Sequence, residues 1–338
     1  MTEPTSSTAD FHSLSGGFVP EQTDLPAGAE LARVIRVDRG WPTVASPSGV
    51  WLSQLSDACA RSARRDPFAR VAVGDWVVLT HPAEHEHAVI TRLLPRRTAL
   101  VRRDPGAADA AQVVVSNIER IFVVAALTAD AESLNLARLE RGMVIAADSG
   151  ADVTVVLTKA DLCADADVAA RRARSVAAGY EVIIESAIDG RGIAEVARLM
   201  PPGQTTALIG ASGTGKSTLI NRLLGHERQA VGLVRERDDK GRHTTVAREM
   251  VALPNGGVVI DTPGIRSVAL WQARRGLALV FPEIEEAACT CKFSDCTHTR
   301  EPGCAVAAAV AAGAIDPSRL ERYRILSDEI TTSAHRQR

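Results

Sequence analysis

The residues whose chemistry is plainest are GASGTGKS, positions 210–217, which follow the apolar run TTALIG and open the helix-like run STLINRLLG. A loop made of Gly210, Ala211, Ser212, Gly213, Thr214 and Gly215 can wrap a chain of phosphates, with backbone N–H groups turned inward at the head of a helix. Lys216 would reach the β- and γ-phosphates, Ser217 would ligate Mg²⁺, and Thr218 would complete the first helical turn. Asp261 ends a second apolar strand in the sequence DTPG, where a carboxylate can hold Mg²⁺ through water and the Gly264 N–H can meet the γ-phosphate.

A third element reads a base. TKAD, from Thr158 to Asp161, closes the run VTVVL. A carboxylate at Asp161 accepts both N1–H and N2–H₂ of guanine, a pattern adenine lacks. Lys159 would lie over the base and brace the phosphate loop. Ser186 and Ala187 end the next strand, EVIIES, where a backbone N–H can meet guanine O6. Between residues 225 and 246 lies a polar segment in the position of a nucleotide-sensing switch, and Thr244 or Thr245 there could close on Mg²⁺ and the γ-phosphate. An ordinary GTPase presents phosphate loop, switch threonine, DxxG, base-reading turn and then Ser-Ala. Here TKAD and Ser-Ala come first, so the order is circularly permuted, which a compact domain with neighbouring termini tolerates.

These loops need a scaffold. RIFVVAAL, DVTVVLTK, EVIIES and TTALIG are continuous apolar runs, as strands buried on both faces of a parallel sheet require. They alternate with SLNLARLERGMVIAADSG, DADVAARRARSVAAG and GIAEVARLM, which carry helical spacing. The expectation is a doubly wound α/β domain over 109–269, with VAREMVAL and GGVVIDTPG forming a hairpin around positions 254–257. Residues 29–108 read as short β runs (LARVIRV, TVASPSGVWL, VAVGDWVVLT, HAVITRLL) between Gly, Pro and Asp breakers, with no long helical period. An OB-fold barrel is expected there, an SH3-like barrel being the alternative. Residues 1–28 carry Glu3, Asp10, Glu21 and Asp24 with no Lys or Arg and read as a disordered acidic tail.

The third zone, 270–338, holds Cys/His loops, an alanine-rich helix and a final amphipathic helix near SRLERYRILSDEI. Cys291, Cys296, His298 and Cys304 follow C-x₄-C-x-H-x₅-C, three thiolates and an imidazole that can close a tetrahedral structural site. Cys289 is spare, or an alternative ligand. Clustered cysteines speak for a metal in a reducing compartment and so for the cytoplasm. His81, His85 and His87 sit in a loop and are expected to be solvated. No apolar run is long enough to span a membrane and no secretory signal is visible. The net charge of −2 is uninformative, but residues 28–108 hold twelve Arg against eight acids, net +4, which suits an RNA-facing barrel.

With these motifs in place the chain resembles the circularly permuted, ribosome small-subunit-dependent GTPases of the RsgA type. The resemblance covers most of residues 29–330 and includes VAVGDWVVL, LLPRRTALVR, the TKAD…SA…GASGTGKS…GRHTT…DTPG order and the Cys/His cluster. It implies an OB-fold, a permuted GTPase domain and a mainly helical zinc domain. It further implies one structural Zn²⁺, Mg²⁺ with GTP, and binding of the small (30S) ribosomal subunit and its 16S rRNA, with release on subunit-stimulated hydrolysis. A monomer is expected. Two departures stand out: Thr158 where Asn is more usual, and Val246 where a third Thr is common. An adaptor without useful turnover is the rival reading, opposed by the intact Lys216, Ser217 and Asp261; an ATP-using enzyme is opposed by Asp161.

Hydrolysis needs a group that orients water. Many GTPases place Gln after the DxxG glycine, but Ile265 stands there, and Gly213 occupies the position of the asparagine that holds potassium in some related enzymes. His243, just ahead of the switch threonines, is therefore the candidate, since imidazole accepts or donates near neutral pH. His243→Ala should leave GTP binding nearly intact and remove most subunit-stimulated hydrolysis, whereas Ile265→Ala should matter much less. Single-turnover hydrolysis with saturating small subunits checks this; a wild-type rate in His243→Ala refutes it.

Overall fold

The computed structural model describes residues 8–15, 19–20, 25–38, 40–82, 86–104, 107–225, 248–261 and 270–335. In chain order the strands are β1 (Glu30–Asp38), β2 (Trp41–Ser46), β3 (Gly49–Leu55), β4 (Trp76–Thr80), β5 (Ala88–Leu93), β6 (Ala99–Asp104), β7 (Ala107–Ser116), β8 (Arg120–Ala126), β9 (Asp152–Thr158), β10 (Glu181–Ile184), β11 (Thr205–Ile209), β12 (Arg248–Ala252) and β13 (Val258–Asp261). The helices are α1 (Thr8–Ser15), α2 (Asp57–Arg65), α3 (Leu136–Asp148), α4 (Ala166–Arg174), α5 (Ile193–Arg198), α6 (Lys216–Leu224), α7 (Arg274–Val280), α8 (Pro282–Ala288), α9 (Ala305–Ala311) and α10 (Pro317–His335).

The expected α/β domain is present. Its strands run β10-β9-β8-β11-β13-β12, parallel except for β12, which forms the expected hairpin with β13. Side chains alternate across this sheet. Ile121, Val123, Val155 and Ile209 face the core shared with α3 and α4, while Phe122, Val124, Val156, Ile183 and Leu208 face that shared with α5 and α6. Burial on both faces explains why the sequence runs are uniformly apolar rather than alternating.

Residues 30–93 form a five-stranded ring in the order β1-β2-β3-β5-β4, closed by β1–β4 pairing, with β3 and β5 parallel. This is the OB-type barrel expected. TVASPSGVWL, read as one run, is the β2–β3 hairpin. Helix α2 follows β3 and went unseen because its sequence, DACARSARR, is short and its apolar face, Cys59, Ala60 and Ala63, is made of small residues none of which is fully buried. The hairpin of β6 and β7 is a further element, and the boundary expected at 108/109 falls inside β7.

Three expectations need correction. The tail at 1–28 is not wholly disordered: α1 packs Phe11 and Leu14 into the main core, with Phe11 edge-on to Trp76 at 6.2 Å. Arg33 does not face RNA. Its guanidinium is 2% exposed and donates to the carbonyls of Ser15 (2.6 Å), Asn117 (2.8 Å) and Leu14 (3.2 Å), pinning α1 against the barrel. Arg96 is likewise committed, to both oxygens of buried Asp75. Backbone carbonyls closed off from water need donors, and a long side chain from β1 supplies them.

The C-terminal zone is fixed to α3 by charge. Glu140, fully buried, accepts from Arg319 (2.7 Å) and Arg322; Arg319 also bonds Glu283 and the Val280 carbonyl and lies 4.5 Å from the Phe281 ring centre. Beside this network Gly276 meets α3 so closely that a Cβ would lie 2.0 Å from the Val144 carbonyl oxygen. Glu140→Ala should leave two guanidinium groups without their carboxylate and cost about 3–5 kcal/mol. Denaturant titration checks this, and a loss below about 1 kcal/mol would mean that the network does not hold the zones together.

Candidate nucleotide site and metal centre

The loops at the C-terminal ends of β8, β9, β10 and β11 open on one edge of the sheet, where ligands bind in α/β folds, and β13 ends with Asp261 on the same edge. The 210–217 loop leaves β11 and enters α6. Gly210 is required by close approach, since a Cβ there would lie 2.4 Å from the Val124 carbonyl. Gly215 turns into the helix at φ +87° under the side chains of Thr158 and Lys159, a left-handed conformation that favours glycine. Lys216 folds back on its own loop, donating to the Gly210 (2.8 Å) and Ala211 (2.9 Å) carbonyls. Burial pushes its ammonium below the usual lysine range, and the charge of Asp261 opposes that shift. Ser212, Ser217 and Thr218 are exposed, while Thr214 is buried and donates to the Ala211 carbonyl at 2.9 Å.

The residues expected to read a base stand beside this loop. Thr158 donates to the Thr214 carbonyl at 2.6 Å and so ties the turn after β9 to the phosphate loop. Lys159 adopts left-handed φ +60°, and its stem lies beside Gly215. Asp161 accepts from the Ser186 hydroxyl at 2.8 Å, which fixes its carboxylate. The Ser186 N–H is committed to the Arg191 carbonyl at 2.9 Å. His243, Thr244, Thr245, Gly264 and Ile265 lie outside the described residues. Glu185, buried, follows β10 directly ahead of Ser186 and was missed by sequence reading: an acid closing an apolar run was its only signal.

The second cluster is metric evidence for a metal. The ligand atoms of Cys291, Cys296, His298 and Cys304 all lie within 4.8 Å of one another. The sulfurs of Cys291 and Cys304 are 3.9 Å apart, and each is 3.6 Å from His298 Nδ1. Around a tetrahedral Zn²⁺ the corresponding separations are about 3.8 Å and about 3.6 Å, so this donor set fits that ion. Burial holds the His298 imidazole below its usual range, which favours the neutral ring a metal needs. The Ala307 N–H bonds Cys304 Sγ at 3.3 Å and so caps α9 on the cluster. Cys289 is exposed and outside the group. His81 bonds Glu30 at 2.8 Å and packs on Trp51, His87 packs on Trp41, and His85 lies outside the described residues.

Fold and site together define a circularly permuted P-loop GTPase, with an OB-type barrel before it and a Cys₃His cluster after it. A sequence model of the RsgA GTPase family matches residues 93–271, and the chain belongs to that family. It is 43% identical over 312 residues to small ribosomal subunit biogenesis GTPase RsgA 2 of Lactiplantibacillus plantarum, covering 92% of this chain and 86% of that one. It is 44% identical over 320 residues to the RsgA of Streptomyces coelicolor, covering 94% and 84%. Among solved structures it resembles YjeQ from Thermotoga maritima (TM-score 0.63, 26% identity, 90% of this chain and 99% of that one). YloQ, a circularly permuted GTPase, shares the fold (TM-score 0.60, 22% identity, 92% and 98%). No described helix is long and apolar enough to cross a membrane.

Elemental analysis should find about one zinc per chain. Cys296→Ser or chelation should remove it and unfold the last zone while basal GTPase survives, because the metal bonds supply much of that zone's folding energy. Zinc-free intact protein would refute the assignment.

Proposed function

We propose that this GTPase serves assembly of the small ribosomal subunit, as the names of its relatives state for them, and that its base and phosphate sites are the residues gathered at the C-terminal sheet edge. The observation that carries the reading is the pair of bonds joining Thr158 to Thr214 and Ser186 to Asp161, which set a guanine reader beside a phosphate loop.

In this reading Asp161 accepts N1–H and N2–H₂, the Ala187 N–H meets O6, and Lys159 covers the base. The N–H groups of residues 211–217 bind the phosphate chain, and Lys216 leaves its loop carbonyls for the β- and γ-phosphate oxygens. Mg²⁺, held by Ser217 and Thr245 with Asp261 acting through water, would neutralise charge on the transferred phosphoryl group. Water attacks the γ-phosphorus, the bond to the β-γ bridging oxygen breaks, and GDP and inorganic phosphate leave; His243 is assigned to orient that water and Gly264 to meet the γ-phosphate.

The barrel is assigned to rRNA and the Cys₃His zone to structural zinc, with the barrel ending after β5 rather than at residue 108. Trp41, 45% exposed, stands on β2 with His87 edge-on to it, an aromatic face on which an unpaired base can stack. A cytoplasmic monomer acting on the 30S particle and its 16S rRNA is the simplest form of this reading.

Asp161→Asn tests the pocket. The amide presents a donor where guanine needs an acceptor, so GTP affinity should fall by roughly two orders of magnitude and XTP should gain. An unchanged GTP/XTP preference in direct binding measurements would show that Asp161 does not read the base.

A further inference from the structure

Antiparallel partners share a face of a sheet, so the registers of β1, β2 and β3 define rows across the barrel wall. The row Val34–Val44–Trp51 points inward: Val34 and Val44 lie in the barrel's own core and Trp51 packs against it. The rows on either side therefore point outward. One is Arg33–Ala45–Val50. The other is Arg36–Thr43–Leu52, with Trp41 beyond it on the same face of β2.

These two outward rows meet different surroundings. Helix α1 lies against β1, β2 and β3 over the first row, where Phe11 and Leu14 share a core with Ala45 and Val50 packs on it. There Arg33 Nη1 donates to the carbonyls of Ser15 at 2.6 Å and Leu14 at 3.2 Å. The second row is open. Leu52 and Trp41 are each 45% exposed, and Arg36 stands beside them, 3.1 Å from the Asp38 carboxylate. One continuous face is thus covered at one end and open to solvent at the other. In small barrels of this class the face of the second and third strands is where an oligonucleotide lies.

Charge points to the same occupant. Residues 1–28 carry Glu3, Asp10, Glu21 and Asp24 with no Lys or Arg, whereas residues 28–108 are net +4. The end of α1 offers Arg33 two carbonyl oxygens at the negative end of a helix, where a strand of RNA would offer phosphate oxygens. An acidic segment therefore sits on a basic barrel and meets its arginine as a nucleic acid would.

We propose that the outward face of β1, β2 and β3 is a single site for single-stranded RNA, and that α1 is its built-in competitor, covering the Arg33–Ala45–Val50 end until RNA displaces it. This rests on the rRNA reading of the barrel given above. The strand lands on the open end, at Trp41, Leu52 and Arg36. Departure of α1 then frees Nη1 of Arg33, while the Asn117 carbonyl, 2.8 Å from Nη2, keeps the guanidinium in place. Affinity of the whole chain is lowered by the fraction of molecules in which α1 is docked.

Fluorescence anisotropy with a labelled oligouridylate of about 12 nucleotides, long enough for one barrel, tests this. Deleting residues 1–16 should tighten binding about tenfold. It should also steepen the fall of log affinity with log salt by roughly 0.7, the increment for one further phosphate contact. Leu14→Ala, which loosens α1 and keeps every charge, should fall between the two. In the intact protein, saturating oligouridylate should speed amide hydrogen exchange across residues 8–15. Unchanged or weaker binding after the deletion, or exchange that stays the same or slows, overturns the proposal. The exchange result stands even if the shortened chain fails to fold. Trp41→Ala separates this from the reading beneath it. If that variant loses RNA affinity while α1 neither competes nor exchanges faster, the role of α1 alone falls. If it binds as the wild type does, the face itself is not the RNA site.

Discussion

The register of the parallel sheet is the constraint on which the remainder of the molecule depends. Ile209 stands beside Val123, Ala207 beside Ile260, Leu157 beside Ala125 and Ile184 beside Leu157, so five strands end along one edge, staggered by a few residues. The phosphate loop, the turn after β9, Ser186 and Asp261 all lie along that edge. A slip of one residue would exchange the two faces of a strand and turn Phe122 and Val124 toward α3. Burial on both sides forbids it, and the spacing of the site is thereby set by packing rather than by the loops themselves.

The flanking parts are attached to this sheet by unlike means. The barrel joins through backbone hydrogen bonds: β1 pairs with β12, Val37 beside Arg248 and Arg36 beside Glu249, so barrel and nucleotide sheet are one eleven-stranded surface. The C-terminal zone joins through side chains, with Glu140 between Arg319 and Arg322 and with Gly276 against α3. The first kind of joint resists rotation about the strand; the second depends on a buried charge that is costly to strand alone.

How much of this could be read from sequence follows from the range of the interactions. The 210–217 loop, TKAD and the cysteine spacing are local patterns, and residues a few positions apart suffice to recognise them. The structure sets the Thr158 hydroxyl on the Thr214 carbonyl and gathers the ligand atoms of Cys291, Cys296, His298 and Cys304 within 4.8 Å of one another. What escaped reading depends on distant partners. Arg33 meets Asn117, Glu140 meets Arg319, and α1 docks through Phe11 on Trp76, all across separations that no short pattern encodes. Helix α2 escaped for the opposite reason, being short and presenting only small apolar residues on its inner face. Glu185 is the instructive case, since its burial is set by β9, its neighbour in the sheet but not in the chain.

Strand order also has a consequence for the nascent chain. In sequence β8, β9 and β10 precede β11, β13 follows it, and the sheet reads β10-β9-β8-β11-β13. As the chain leaves the ribosome, β9 can add to one side of β8 and β10 to β9, while the other side of β8 waits for β11. Growth from β8 through β11 is therefore always at an open edge, which keeps the slow formation of parallel pairs tractable, and only β13, made last, must enter between two earlier strands, β11 and β12. The half of the site proposed to meet the nucleobase is thus synthesised, and free to fold, before the half proposed to meet phosphate exists.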